Sequence, residues 1–500
     1  MPRNRLACLA AGSAALWALA WPACTATTAM AVAAAGRSER IALVECRLKH
    51  PAGLGSVPAR CGTLAVPENP DDPAGRQISL AVAVVPALAA ATQEPPLFVV
   101  PGGPGQSAAD FYAIYAAAFG AVERSRDVVL VDQRGTGGSN RLGCEFPDDF
   151  DVVAESPDVI RELSAKCRQG LTGRPQYYTT SVAVRDLDAV RAALGYERID
   201  LYGVSYGTRV VQHYVRRFPS RAAAVVLDGV VPPDRALGPD TPLDAQRALD
   251  LMFARCRADQ ACDGAFPDLA RRFQALLADL GGRPRLVMLA DPSTGEPRTV
   301  EFDRAQLAGV VRLLNYYSAT TALLPLYIDR ASKGDYAPIA SELLLLSQNF
   351  DAQVAYGMNA AVACSEDVPA YVHADRARLA RTYVGAEQID ELRILCEGWP
   401  KGVVDADLFA PLHSAVPALV LSGEADPVTP PAAGARAASG FRDVLHVVLA
   451  GQGHGQLGTG CAPRVIARFL TAGTTRGLDV RCLAAATASP FVIDLSGPGP

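Results

Sequence analysis

The sequence predicts an α/β fold: a mostly parallel sheet covered by helices on both faces and split by an inserted, mostly helical segment. Short, mostly apolar runs at 97–100, 127–131, 199–202 and 223–227 alternate with helical stretches, as strands buried on both faces do. That rhythm stops between 235 and 360, where 245–256, 269–280, 304–314 and 337–346 read mainly as helices with no strands between them. It resumes with apolar runs at 418–421 and 444–449. The chain therefore divides into a leader (1–35), a first core part (36–234), an insertion (235–360) and a second core part (361–500). The Pro/Gly-rich tail after Ser489 reads as loose.

At the N-terminus, Arg3 and Arg5 precede an almost wholly apolar stretch, 6–23, and small residues at 29–35 offer cleavage sites. This is the pattern of an export signal peptide, with a periplasmic or extracellular destination. No later stretch has 18 uninterrupted apolar residues, so no stable membrane association is expected once the leader is removed. Of the 12 cysteines, Cys8 and Cys24 leave with the leader. The even remainder in an exported chain implies disulfides. Neighbours meet most easily, which gives Cys46–Cys61, Cys144–Cys167, Cys256–Cys262, Cys364–Cys396 and Cys461–Cys482. No Cys-x-x-Cys or His-Glu-x-x-His occurs, so no metal is expected. A net charge of −5 with no basic patch argues against nucleic acid as a partner. Oligomeric state is not legible.

Residues 40–95 read as short antiparallel strands with a turn cluster at 67–75. The run at 97–100 ends in Pro101-Gly-Gly-Pro-Gly105 and a helical stretch follows. The next strand ends at Asp132-Gln-Arg-Gly135, and 181–194 carries a helical stripe of apolar residues. The strand at 199–202 then runs into Gly203-Val-Ser205-Tyr-Gly207, with a helix behind it. A Gly-x-Ser-x-Gly between strand and helix exposes a serine hydroxyl on a sharp turn at a helix N-terminus.

A nucleophilic serine needs a base, and the base an orienting acid, in the chain order Ser, Asp/Glu, His for this arrangement. His213 lies within a helix and His446 within an apolar strand, while His373 and His413 follow no strand end. His454 lies in a glycine-rich loop directly after the last strand and is the candidate base. Asp426, in a Pro-fixed turn after the preceding strand, is the candidate acid, with Glu424 and Asp228 as alternatives. An oxyanion needs two backbone donors. These are expected from the amides of Tyr206 and Gly103, with Gly102 the neighbouring choice. A rival reading takes 103–108 as Gly-x-Gly-x-x-Ala with Asp132 as a ribose acid, a dinucleotide-binding fingerprint. Export, the stiff Pro104 and the unexplained Ser, Asp and His placements weigh against it.

Together, 101–105, 132–137, 186–191, 203–207, 426–430 and 453–455 resemble the secreted tripeptidyl aminopeptidases, α/β-hydrolase serine peptidases related to prolyl aminopeptidases. The resemblance spans about 45–485. It implies an α/β-hydrolase core with a helical cap, a triad of Ser205, Asp426 and His454, a peptide substrate and no cofactor. Its paired-cysteine region matches 361–367 and 396–400, which suggests Glu366 and Asp367 as the carboxylates for a substrate's amino end. A carboxylesterase using the same triad is the alternative activity.

Overall fold

The computed structural model describes residues 40–89, 92–144, 156–494 and 496–498. The expected leader lies outside them. Strands β1 (Val44–Lys49), β2 (Ser56–Pro67) and β3 (Gln77–Val85) form an antiparallel meander. Then come β4 (Leu97–Val100), α1 (Ala108–Phe119), β5 (Val128–Val131), α2 (Pro157–Gly170), α3 (Thr180–Leu194), β6 (Ile199–Val204), α4 (Tyr206–Arg217) and β7 (Ala222–Asp228). The inserted segment carries α5 (Thr241–Ala258), α6 (Gln260–Ala265), α7 (Leu269–Gly282), a hairpin of β8 (Arg285–Ala290) and β9 (Pro297–Phe302), α8 (Arg304–Leu314), α9 (Ser318–Thr321), α10 (Leu324–Ser332) and α11 (Ala337–Gln353). Next, α12 (Tyr356–Val362) runs into a π-turn at 363–367, followed by α13 (Arg376–Leu379) and α14 (Glu387–Leu395). The chain returns through β10 (Ala418–Gly423), α15 (Pro431–Ala438), β11 (Val444–Leu449) and α16 (Ala462–Ala472).

Nine strands form one sheet in the order β1-β2-β3-β5-β4-β6-β7-β10-β11. From β5 to β11 all neighbours are parallel. Strands β4, β5, β6 and β10 are buried at every position, which explains their mostly apolar sequence; the buried Asp200 of β6 is paired with Arg126. Alternate residues face opposite sides. Phe98, Val129, Leu201 and Val225 pack with Leu187, Val210, Val211 and Tyr214 of α3 and α4. Val99, Leu130, Tyr202 and Val226 pack with Phe111 and Tyr112 of α1 and Phe469 of α16. The strand ends therefore lie between two helical layers, where the loops that leave them converge.

The insertion has its own core, built on Leu249, Phe253, Phe273, Leu307, Val311 and Ile328. Two expectations need correction there. The insertion is not free of strands: β8–β9 escapes notice because Leu286 and Met288 are exposed, which erases the alternation that marks a strand. The start of the tail is not loose either. Phe491 is buried in the insertion's core under the Arg255 guanidinium, and the Val492 amide donates to the Ala322 carbonyl. Five disulfides join the pairs 46/61, 144/167, 256/262, 364/396 and 461/482. Among the described residues no helix is long and apolar enough to cross a membrane.

Candidate active site

Ser205 joins β6 to α4 with φ 55° and ψ −127°, a backbone conformation that costs a non-glycine residue about 1–3 kcal/mol. Its surroundings enforce that geometry. The Ser205 amide donates to the Asp228 carbonyl (3.0 Å), and the Ser205 carbonyl accepts from the Thr208 amide (2.9 Å) and Thr208 Oγ1 (2.6 Å). The flanking glycines are there for space. A Cβ on Gly207 would stand 2.1 Å from the Val100 carbonyl oxygen, and one on Gly203 would stand 2.7 Å from the Gly207 carbonyl oxygen. The serine side chain stays partly open at the N-terminus of α4.

Asp426 and His454 meet. Asp426 is fully buried in the turn after β10, and His454 follows β11. His454 Nδ1 lies 2.8 Å from Asp426 Oδ2. The Asp426 carboxylate also accepts the Val428 and Thr429 amides and Thr429 Oγ1, all at 2.8 Å. Burial alone would raise its pKa, but His454 and these donors hold it below the usual carboxylate range. Burial likewise pushes the His454 imidazole down, yet the charges of Asp426 and Asp228 lift it above its ordinary value. The pair thus suits a base whose cation is stabilised as it forms. No hydrogen bond joins Ser205 Oγ to His454 Nε2 among the described residues, a looseness common in substrate-free sites.

Sequence reasoning missed three supports, because each is a tertiary contact. Thr429 bridges acid and base, its Oγ1 3.1 Å from His454 Nδ1. Tyr316, in the insertion, takes the His454 amide on its carbonyl (2.6 Å) and sets its ring edge-on to the imidazole. Arg247 of α5 donates to the Glu424 and Asp426 carbonyls at 2.7 and 2.8 Å. The insertion therefore braces both the acid turn and the base loop. The two sequence alternatives for the acid are engaged elsewhere: Glu424 accepts the Gly451 amide, and Asp228 accepts the Gln456 and Leu457 amides.

The glycine-rich loop at 101–105, which leads into α1, approaches the serine closely: a Cβ on Gly102 would lie 2.8 Å from Ser205 Cβ. The amides of Gly103 and Tyr206 take part in no hydrogen bond among the described residues. Asp132 accepts Ser107 Oγ (2.9 Å) and the Ala109 and Gly138 amides (3.2 and 2.8 Å), which removes the free acid that a ribose would require. Arg134 is buried in a two-pronged contact with Asp186 (2.6 and 2.7 Å) and anchors the turn to α3.

Glu366 and Asp367, expected to meet a substrate's amino end, both have internal partners. Both are buried in the π-turn beneath α4. Glu366 accepts the Thr180 amide and hydroxyl (both 2.7 Å), and Asp367 accepts Arg209 Nη2 and the Leu237 amide (both 2.7 Å). An ammonium would have to displace Arg209, so the geometry gives these acids the task of locking α4 in place. Burial, opposed by Arg209, pushes the Glu366 carboxyl up to about 7. Asp244 of α5 differs from them. Its carboxylate has no hydrogen-bond or ion-pair partner among the described residues, and it lines a small cavity with Val428, Thr429 and Pro430. Burial raises it to about 6 despite Arg235 and Arg247.

Comparison with known proteins decides the family. The model for the alpha/beta hydrolase fold matches residues 95–460. The chain belongs to the alpha/beta hydrolase family. It is similar to serine protease Hip1 of Mycobacterium tuberculosis, 27% identical over 491 residues that cover 87% of this chain and 90% of that protein. It is 30% identical to carboxylesterase B of the same organism over 474 residues, 85% of this chain and 86% of that protein. Tripeptidyl aminopeptidase of Streptomyces lividans is 33% identical over 196 residues, 36% of each chain. This α/β hydrolase is thus an enzyme of the serine hydrolase kind.

Proposed function

We propose that this hydrolase is an exported serine aminopeptidase that releases tripeptides or single residues from peptide N-termini. The observation that carries the chemistry is the Asp426–His454 pair beside a serine held in a strained elbow. His454 Nε2 takes the Ser205 proton as Oγ attacks the scissile carbonyl, and Asp426 keeps the proton on Nδ1 and stabilises the imidazolium. The unpaired amides of Gly103 and Tyr206 receive the oxyanion. His454 then protonates the leaving amine, and water releases the acyl-enzyme.

Peptide chemistry is supported by the names of two relatives, a serine protease and a tripeptidyl aminopeptidase. A substrate ammonium needs a carboxylate without an internal partner, and Asp244 is the one we assign. The leader pattern and five disulfides support export. A carboxylesterase is the second reading, favoured by the similarity to carboxylesterase B.

The test compares wild type, Ser205→Ala and Asp244→Asn on free-amine and N-blocked tripeptide anilides and on p-nitrophenyl esters. Wild type should cleave the free-amine anilide best, Ser205→Ala should be inactive, and Asp244→Asn should raise KM for free-amine substrates only. Equal turnover of blocked anilides, or turnover of esters alone, would refute the aminopeptidase reading. Undiminished activity in Ser205→Ala would refute the mechanism.

A further inference from the structure

Asp228 closes β7, is fully buried, and makes no hydrogen bond to the imidazole with its carboxylate. Both carboxylate oxygens instead accept the Gln456 amide at 2.8 Å. Oδ2 also accepts the Leu457 amide at 3.0 Å and the Tyr202 hydroxyl at 2.8 Å. Gln456 and Leu457 lie two and three residues beyond His454. The backbone of the same residue serves the nucleophile, because the Asp228 carbonyl accepts the Ser205 amide at 3.0 Å. Its neighbour serves the acid strand: the Gly229 amide donates to the Leu421 carbonyl of β10 at 3.0 Å. On its other side, His454 hangs from the Tyr316 carbonyl through its own amide. The base loop is thus held between one anchor in the insertion and one in the core.

From this geometry we infer that Asp228 is a positioning residue that sets the base loop against the nucleophile and lends its negative charge to the imidazole. The inference rests on the Ser205–Asp426–His454 reading above. Three donors fit an ionised carboxylate, since a protonated one would turn a hydrogen toward an amide N–H. The groups that face His454 are Asp426, bonded at Nδ1, the Asp228 carboxylate, and the Tyr316 ring edge. Those that face Asp228 are Tyr202, the two amides and His454. Burial raises the Asp228 carboxyl to about 6, while the amides, the Tyr202 hydroxyl and His454 pull it back. Its charge in turn raises the His454 pKa.

The experiment uses Asp228→Asn in the full mature chain. Asn keeps the shape, and its oxygen at the Oδ2 position still accepts all three donors, but its NH2 end then turns hydrogens toward the Gln456 amide and it carries no charge. Loss of register should lower kcat roughly 10- to 100-fold, with KM for the best substrate little changed. The acid limb of the kcat/KM profile should move to lower pH, because the imidazole loses a charge that favours its cation. Labelling of Ser205 by a fluorophosphonate should slow in step. Tyr202→Phe should move the limb the same way by less, since the carboxyl is then charged over a narrower range. That variant keeps the test open if Asp228→Asn folds poorly. A limb that stays in place in both variants, or wild-type kcat in a folded Asp228→Asn, would overturn the inference. If Ser205→Ala stays active, the underlying triad reading fails; if Ser205→Ala is inactive and Asp228→Asn behaves as wild type, only the role of Asp228 fails.

Discussion

Replacing Gly229 by alanine should crowd the proposed base while leaving every proposed reacting group chemically intact. Gly229 has φ +58°, a left-handed conformation that costs an L side chain about 1–2 kcal/mol. Its added methyl carbon would stand 3.0 Å from His454 Cε1, 3.1 Å from Nδ1 and 3.3 Å from Thr429 Oγ1. Carbon atoms settle at about 3.5–4.0 Å, so at least about half an ångström has to be found. Gly229 itself is fixed by its bond to Leu421, and the imidazole is the part that can give. A displacement of 1 Å costs a reaction of this kind about 100-fold, so half of that predicts a roughly tenfold fall in kcat. The decisive assay is steady-state hydrolysis normalised to fluorophosphonate-titratable sites, beside urea unfolding. The expected result is kcat down about tenfold, together with a stability loss of about 1–2 kcal/mol. Wild-type kcat per titratable site with only the stability loss would show that the ring is not confined by Gly229.

Other expectations follow from the same contacts. His454 has to be neutral to act as base, and its pKa is raised above the ordinary 6.5, so kcat/KM should fall with acidification at a midpoint above pH 6.5; a pH–rate profile with its midpoint below that value contradicts the arrangement. Asp367→Ala should cost about 3 kcal/mol, measured by chemical denaturation, because the buried Arg209 loses its close partner and keeps only Glu366 at 3.4 Å. Glu366→Gln should cost about 1 kcal/mol or less, because its carbonyl still accepts the Thr180 amide. Loop-closure entropy gives about 3.7 kcal/mol for the 32-residue separation of Cys364–Cys396 and about 2.2 for the 6-residue separation of Cys256–Cys262. Serine pairs at those positions should therefore differ in stability in that order.

What could be read from the sequence follows from burial. Strands covered on both faces need mostly apolar side chains, so β4, β5 and β6 announce themselves in a few residues, even though β6 carries Asp200. The hairpin β8–β9 has only one face covered, and its exposed Leu286 and Met288 hide the pattern. The glycine motif around Ser205 was legible because Gly203 and Gly207 are forced by backbone atoms within a few residues or on the adjacent strand. The partners of Glu366 and Asp367 were hidden for the converse reason. Acidic residues look available in a sequence, and only the fold reveals that Thr180 and Arg209 have claimed them.

The least legible part of the site is also what makes it coherent. Ser205, Asp426 and His454 each sit on a connection rather than within a strand or helix, and connections are the less precise place to build a site. Here the three connections converge on two consecutive residues. Asp228 holds Ser205 by its carbonyl and the His454 loop by its carboxylate, 228 residues away along the chain, while Gly229 holds β10 by its amide and abuts the imidazole where a side chain would stand. In the sequence Gly229 reads as an ordinary turn residue and Asp228 only as an alternative acid, and nothing there shows that they support the two loops. Their value arises only when β6, β7 and β10 lie side by side in the sheet. In the proposed mechanism strand order is therefore part of the design: it turns the end of β7 into the common support for Ser205 before it and for Asp426 and His454 after it.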